Sequence, residues 1–149
     1  MQIRHAKPGD EAELAALLED NQRHYGHAVE DGAGAADAAH LVEPPPGSTV
    51  CLVADDGGRL VGFAILYPYF PGPRFTRGLY LKELYVAASA RSAGLGDRLI
   101  EAIRALAKER GDTRVLWTTT EHNVGAQRFY DRLGVQREKK VCYVMDVPS

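Results

Sequence analysis

Apolar and polar positions along the chain change period several times, and each change marks an element. Gln2 to Ala6 alternates as a short strand, and Pro8-Gly9 ends it. Asp10 with Glu13 three residues on reads as a capping-box helix start. A first helix is therefore expected from about Asp10 to Asn21, with Ala12, Leu14, Ala15, Leu17 and Leu18 forming a broad apolar face on an alanine- and glutamate-rich stretch. From His24 to Leu41 the pattern is polar and then alanine-rich, which predicts a loop and one short helix before Pro44-Pro45-Pro46-Gly47. Thr49 to Ala54 is β-branched and apolar, Asp55-Asp56-Gly57-Gly58 is a hairpin-turn signal, and a second strand runs from Arg59 to about Tyr69, so these two should pair antiparallel.

A loop rich in proline and glycine, Pro68 to Gly78, leads into Leu79 to Val86, a strand apolar on both faces. Leu95, Leu99, Ala102, Ile103 and Leu106 then form one stripe of a helix from about Leu95 to Arg110, which Gly111 stops. A strand from Thr113 to Thr120, a helix from about Val124 to Leu133 ending at Gly134, and a last strand from Val141 to Val147 complete the order. This order predicts a single domain over residues 1–149, an α/β (α+β) fold with one mixed sheet and helices on both faces. The regular strand-helix alternation that a doubly wound dinucleotide fold needs near its start is missing.

Composition narrows the function classes. A formal net charge of -2 comes from interspersed acids and bases, so no basic stripe is available to track nucleic acid. Cys51 and Cys142 each sit in an apolar, strand-like stretch and read as small buried hydrophobes, with neither a disulfide framework nor a metal site implied. Met1 to His5 lacks the apolar core of a signal peptide, and no apolar run approaches the roughly 20 residues of a membrane span. A cytoplasmic protein that binds no metal, membrane or nucleic acid is expected.

The chemistry concentrates around Arg91-Ser92-Ala93-Gly94-Leu95-Gly96, between a buried strand and an amphipathic helix. Unpaired N–H groups and the positive helix end favour an anion there, and glycine lets the backbone approach it, with Arg91 adding charge at the edge. An ordinary strand-to-helix turn reads the same way on spacing alone. No Gly-Lys-Ser or Gly-Lys-Thr follows and no Gly-x-Gly-x-x-Gly is present, so nucleotide hydrolysis and hydride transfer lose ground. Downstream, Asn123 and Tyr130 are seven residues apart and share one helix face, while Ala126, Phe129 and Leu133 suit core packing. Asn123 also suits a helix N-cap.

Leu84-Tyr85-Val86, then the loop from Arg91 to Gly96, resembles the acetyl-CoA-binding signature of the GNAT superfamily of N-acetyltransferases, and Asn123 to Gly134 resembles its second signature at the separation the family shows. The resemblance covers nearly the whole chain outside His24 to Gly47. It implies a single GNAT-like domain with a mostly antiparallel, twisted sheet, acetyl-CoA as acetyl donor, and cofactor contacts from Leu84, Tyr85, Val86, Arg91, Ser92, Ala93, Gly94, Leu95, Gly96 and Asn123. It further implies direct attack of an amine in a ternary complex, a homodimer, and Tyr130 as general acid toward the leaving thiolate. The chemistry is consistent: a phenol of pKa about 10 can protonate a thiolate whose thiol titrates near 8 to 9. A buried tyrosine bonded to backbone is the plain alternative.

Lys82 and Glu83 are charged where a central strand is ordinarily apolar. Glu83 is a candidate general base for the substrate ammonium; a salt bridge or a solvent-facing strand end explains it equally. Val61 to Tyr67 and Leu79 to Val86 are similar to diamine, polyamine and thialysine acetyltransferases, a branch that carries an acidic residue, its base, where Lys82 stands. Lys82 repels a polycation and accepts a carboxylate, which points to an amino acid or other zwitterionic small-molecule amine as acceptor. Tyr25, Tyr67 and Tyr69 are pocket candidates or ordinary packing. A catalytically weak sensor that keeps an acyl-CoA site is the competing function, and a structural domain with a fortuitous glycine turn a third.

Overall fold

The computed structural model describes residues 1–149, which divide into two compact units, Met1–Trp117 and Thr118–Ser149. The first unit holds β1 (Gln2–His5), α1 (Glu11–His24), α2 (Ala35–Val42), β2 (Val50–Asp56), β3 (Arg59–Tyr69), β4 (Gly78–Val86), α3 (Leu95–Arg110) and β5 (Arg114–Leu116). The second holds α4 (Val124–Asp131). The five strands lie in chain order; β1 to β4 pair antiparallel and β4 pairs with β5 in parallel. Gly57 and Gly58, with φ of 66° and 98°, make the tight turn that folds β2 back on β3.

Helices cover both faces of this sheet because both faces are apolar. On one, Leu14 and Leu17 of α1 and Ala38 and Leu41 of α2 pack with Val53, Phe63 and Tyr85. On the other, Leu95 and Leu99 of α3 pack with Ala54 and Val61, and Leu84 and Val86 border them. Adjacent Val53 and Ala54 are both fully buried, one in each layer, as the two-residue period of a strand requires.

Two irregularities set which side chain faces which layer. Ala54 lies opposite Gly62 but Asp55 opposite Leu60, so Val61 is an extra residue in β3. Ile65 lies opposite Glu83 but Leu66 opposite Leu81, so Lys82 is an extra residue in β4. Each is a β-bulge, which bends its strand and shifts the facing pattern by one position. Downstream of Lys82, Leu84 and Val86 therefore border α3, while Tyr85 packs in the α1 layer.

Several expectations are corrected. Asp10 and Glu13 form no capping box: Asp10 has helical backbone angles and makes no side-chain cap bond. Its carboxylate instead accepts from both Nη groups of Arg4, at 2.8 and 3.0 Å, and from Lys7 N at 2.8 Å. α1 runs on to His24, three residues past the predicted end, since nothing in Gln22-Arg23-His24 breaks a helix. β5 is three residues long, and residues 132–149 contain no helix or strand of their own. Val141 to Val147 has strand composition, but a strand also needs a pairing edge, and this unit supplies none. Cys142 is accordingly exposed, while Cys51 is buried and its thiol is pushed up to about 12 by burial first and the Asp10 charge second.

Arg4 joins β1 to the start of α1 and, through Asp55, to the end of β2. The Arg4 hydrogen bond, opposed by burial and supported by Lys7 N–H, holds the Asp10 carboxyl below the usual carboxylate range. A depressed native pKa contributes stability that is full above the unfolded value of about 4 and is lost as pH falls through the native one. Asp10→Ala leaves Arg4 short of its main partner and should destabilise the protein by about 1–3 kcal/mol near neutral pH. Urea unfolding measures this, and the gap to the parent protein should narrow below about pH 4.

Candidate active site

β4 has two neighbours over part of its length and one over the rest. Toward β3 its pairing runs from Gly78 to Val86; toward β5 it stops at Tyr80, opposite Leu116. From Lys82 to Val86 the strand's second backbone edge has no strand beside it in the sheet. Such an edge can take up another extended chain, and here no strand occupies it, although Val86 O is held by the Arg91 side chain.

The loop after β4 makes a second feature. Ala87 N–H donates to Val61 O at 2.9 Å, tying the strand end to β3, and a single 3₁₀ turn at Ala88–Ala90 follows. Ser92 and Gly94 both have left-handed backbone, with φ of 70° and 73°. Gly94 is the N-cap of α3, and no atom lies within 4 Å of where its Cβ would be. The first bonded N–H of the helix start is that of Arg98, to Gly94 O at 3.2 Å; those of Ser92 to Asp97 have no backbone partner. A left-handed residue followed by helical ones turns successive N–H groups toward one concavity, which, with the dipole of a 16-residue helix, suits an anion. Arg91 does not point into this concavity by its Nε, which donates to Val86 O at 3.0 Å; its guanidinium lies 5.7 Å from the Tyr85 ring.

On the α1 side of β4 sits a polar cluster. Glu83 Oε1 accepts from Lys82 Nζ at 3.1 Å and Oε2 accepts from Asn21 Nδ2 at 3.2 Å. The Glu83 side chain is 21% exposed and that of Lys82 56%. Burial opposes the charge of Lys82, but the Glu83 bond and charge, with smaller contributions from Tyr67 and Tyr80, outweigh it and raise its pKa. Burial, and then the Glu83 charge, push the Tyr25 phenol upward against the pull of Lys82. Tyr67 and Tyr80 stack with centroids 5.1 Å apart, and His24 lies 6.3 Å from Tyr85. Glu83 is thus in a salt bridge, with Tyr25 and Tyr67 close to the pair, whereas Tyr69 lies beyond it at the hairpin end.

In the second unit, Asn123 caps α4: its Oδ1 accepts from Ala126 N at 3.1 Å. Tyr130 is two turns along the same helix, its ring 5.3 Å from Phe129. Sequence reasoning missed Asn21 and His24, both in the last two turns of α1, and it missed the bulge. The bulge had a signal: Leu79 and Leu81 are spaced by two, but the next inward pair, Leu84 and Val86, starts three residues after Leu81. Also missed was that residues 57–82 contain no Asp or Glu, while Arg59, Arg74, Arg77 and Lys82 fall within them.

A mixed sheet left open along one strand, with free N–H groups at a helix start at the end of that strand, suits an extended ligand that carries phosphate. The chain belongs to the GNAT acetyltransferase family, whose model matches residues 14–135. It is 32% identical over 151 residues to an uncharacterized N-acetyltransferase of Bacillus subtilis, YhfO, covering 100% of this chain and 99% of that one. It is 25% identical over 138 residues to the D-amino-acid N-acetyltransferase HPA3 of Saccharomyces cerevisiae, covering 92% and 86%. In fold it matches AAC(6')-Iy, solved in complex with a CoA-containing bisubstrate analogue, at a TM-score of 0.79 and 19% identity, covering 99% of this chain and 98% of that one. The protein is an acetyl-CoA-dependent N-acetyltransferase. No helix is long and apolar enough to cross a membrane, and no group of three or more His, Cys, Asp or Glu is placed to hold a metal ion.

Gly94→Ala puts a Cβ on a left-handed residue where space is open but the backbone is strained, so it should cost about 1–2 kcal/mol. A lower melting temperature with unchanged circular dichroism is the expected result.

Proposed function

We propose that this protein moves the acetyl group of acetyl-CoA to the primary amine of a small molecule or amino acid by direct attack in a ternary complex, with residues 1–149 acting as one domain. The observation that carries the reading is that a single strand, β4, supplies both an open backbone edge at Leu84, Tyr85 and Val86 and, at Glu83, a carboxylate beside it. The edge fits the amide-bearing arm of CoA, and the unpaired N–H groups from Ser92 to Gly96, with Leu95 and the small Ala93 and Gly94 leaving room, fit its pyrophosphate. Bound acetyl-CoA supplies an activated thioester carbonyl.

Glu83 takes the proton of the acceptor ammonium, directly or through one water, so that the amine nitrogen carries a lone pair. As the C–N bond forms and the C–S bond breaks, Tyr130 gives its phenolic proton to the sulfur; the nitrogen sheds its surplus proton, which restores the phenol through solvent, and the proton held by Glu83 is released to solvent. Asn123 fixes the start of α4, the helix that carries Tyr130. Lys82 receives the acceptor's carboxylate, supported by the acid-free run from Gly57 to Lys82 and by the D-amino-acid specificity named for the yeast relative. A cytoplasmic homodimer belongs to the same reading, and light scattering measures the oligomer.

Release of free thiol from acetyl-CoA across a panel of D- and L-amino acids, diamines and aminoglycosides tests the acceptor class; turnover confined to acceptors without a carboxylate would sink it. Lys82→Ala should raise KM about tenfold for carboxylate-bearing amines while sparing simple diamines, as loss of one charge-assisted hydrogen bond implies. Tyr130→Phe should lower kcat by about 100-fold or more with CoA affinity by calorimetry unchanged, and undiminished kcat removes Tyr130 from the chemistry.

A further inference from the structure

Asn21 is a polar residue in a place built for apolar ones. It follows Leu14 and Leu17 along the inward face of α1 and is only 2% exposed. Its Nδ2 donates to Glu83 Oε2 at 3.2 Å, and its Oδ1 is buried with no hydrogen-bond partner. Turning the amide over would set Oδ1 against a carboxylate oxygen, two acceptors face to face, so Glu83 itself dictates the orientation. An orphaned buried carbonyl opposes folding, and a leucine of similar volume would remove it. Packing therefore does not account for Asn21; the bond to Glu83 does.

Lys82 is the carboxylate's other partner, but its side chain is more than half exposed, and an exposed pair of this kind is weak and easily exchanged. Once Lys82 turns to an acceptor's carboxylate, Asn21 is the contact that stays. We propose that Asn21 is the positioning residue for Glu83: it pins Oε2 to α1 and leaves Oε1 as the oxygen that exchanges protons with the acceptor amine. This rests on the reading of Glu83 as the base. The charged and titratable groups around Glu83 include Lys82 on its own strand, Tyr25 just past α1 and His24 at the end of α1, whose ring lies 5.7 Å from that of Tyr25; Ile65, opposite on β3, is apolar. A neutral amide suits the position because it orients the carboxylate without cancelling its charge, which a second cation would do.

The test follows the side-chain carboxyl carbon of Glu83 by NMR in protein labelled with 13C-glutamate, the resonance being identified by its loss in Glu83→Gln. Asn21→Leu removes the donor, and Asn21→Asp puts an acceptor in its place; at one fixed pH both should shift and broaden the Glu83 carboxyl resonance, whose side chain loses its single orientation. Asn21→Asp is nearly isosteric and carries the test if Asn21→Leu does not fold. In steady state, Asn21→Leu should lower kcat about tenfold while acceptor KM changes less than about twofold. An unchanged Glu83 resonance in the folded variants overturns the inference. Full kcat in Glu83→Gln overturns instead the reading of Glu83 as base, and the resonance, which needs no turnover, still decides what Asn21 does.

Discussion

The ladder between β4 and β5 ends at Tyr80, six residues before the ladder between β4 and β3 ends at Val86. The rest of the site depends on that difference. A strand in mid-sheet normally spends both edges on its neighbours; this one keeps half of one edge unspent, and does so where α3 begins. Burial holds the strand in place despite the missing ladder, because Leu84, Tyr85 and Val86 are packed from both faces by α1 and α3. The opening is thus a property of the fold's core and not of a mobile loop, which suits an enzyme that must hold one long donor in one register.

The polar cluster on the α1 face follows from the same strand. The bulge bends β4 where its pairing to β5 has ceased, and it places two charged residues in succession at the bend. Lys82 is turned outward and Glu83 is half enclosed beneath the end of α1. Two opposite charges with unequal exposure form an adaptable pair: the exposed member can be drawn off by a ligand, while the enclosed one cannot follow. Under the proposed function, an acceptor carrying both an ammonium and a carboxylate meets a complementary charge for each, and no acid lies between Gly57 and Lys82 to add attraction for a bare polycation.

What could be read from the residues follows the range of the forces involved. α3 was legible to its ends because the apolar stripe, the glycine start and the Gly111 stop are all local. The β2–β3 hairpin was legible from Asp55-Asp56-Gly57-Gly58 for the same reason. The glycine loop was legible as a helix start with N–H groups left over, and Lys82 and Glu83 as misfits in a buried strand. The partners of those misfits were not: Asn21 lies 62 positions from Glu83, and nothing local distinguishes it from any polar residue near a helix end. Asp10 was misassigned because its local signal, a helix cap, lost to Arg4, whose guanidinium offers two charge-assisted bonds where the helix offers one. The strand expected at Val141 to Val147 depended on composition alone, and composition does not specify a partner.

Lys82 is surplus to the ladder that contains it: Leu81 opposes Leu66 and Glu83 opposes Ile65 without needing a residue between them. A gene shortened there by one codon would encode a strand with every remaining partner retained and the bend erased. In β4, then, residue identity determines what is buried, and residue number determines where the strand turns.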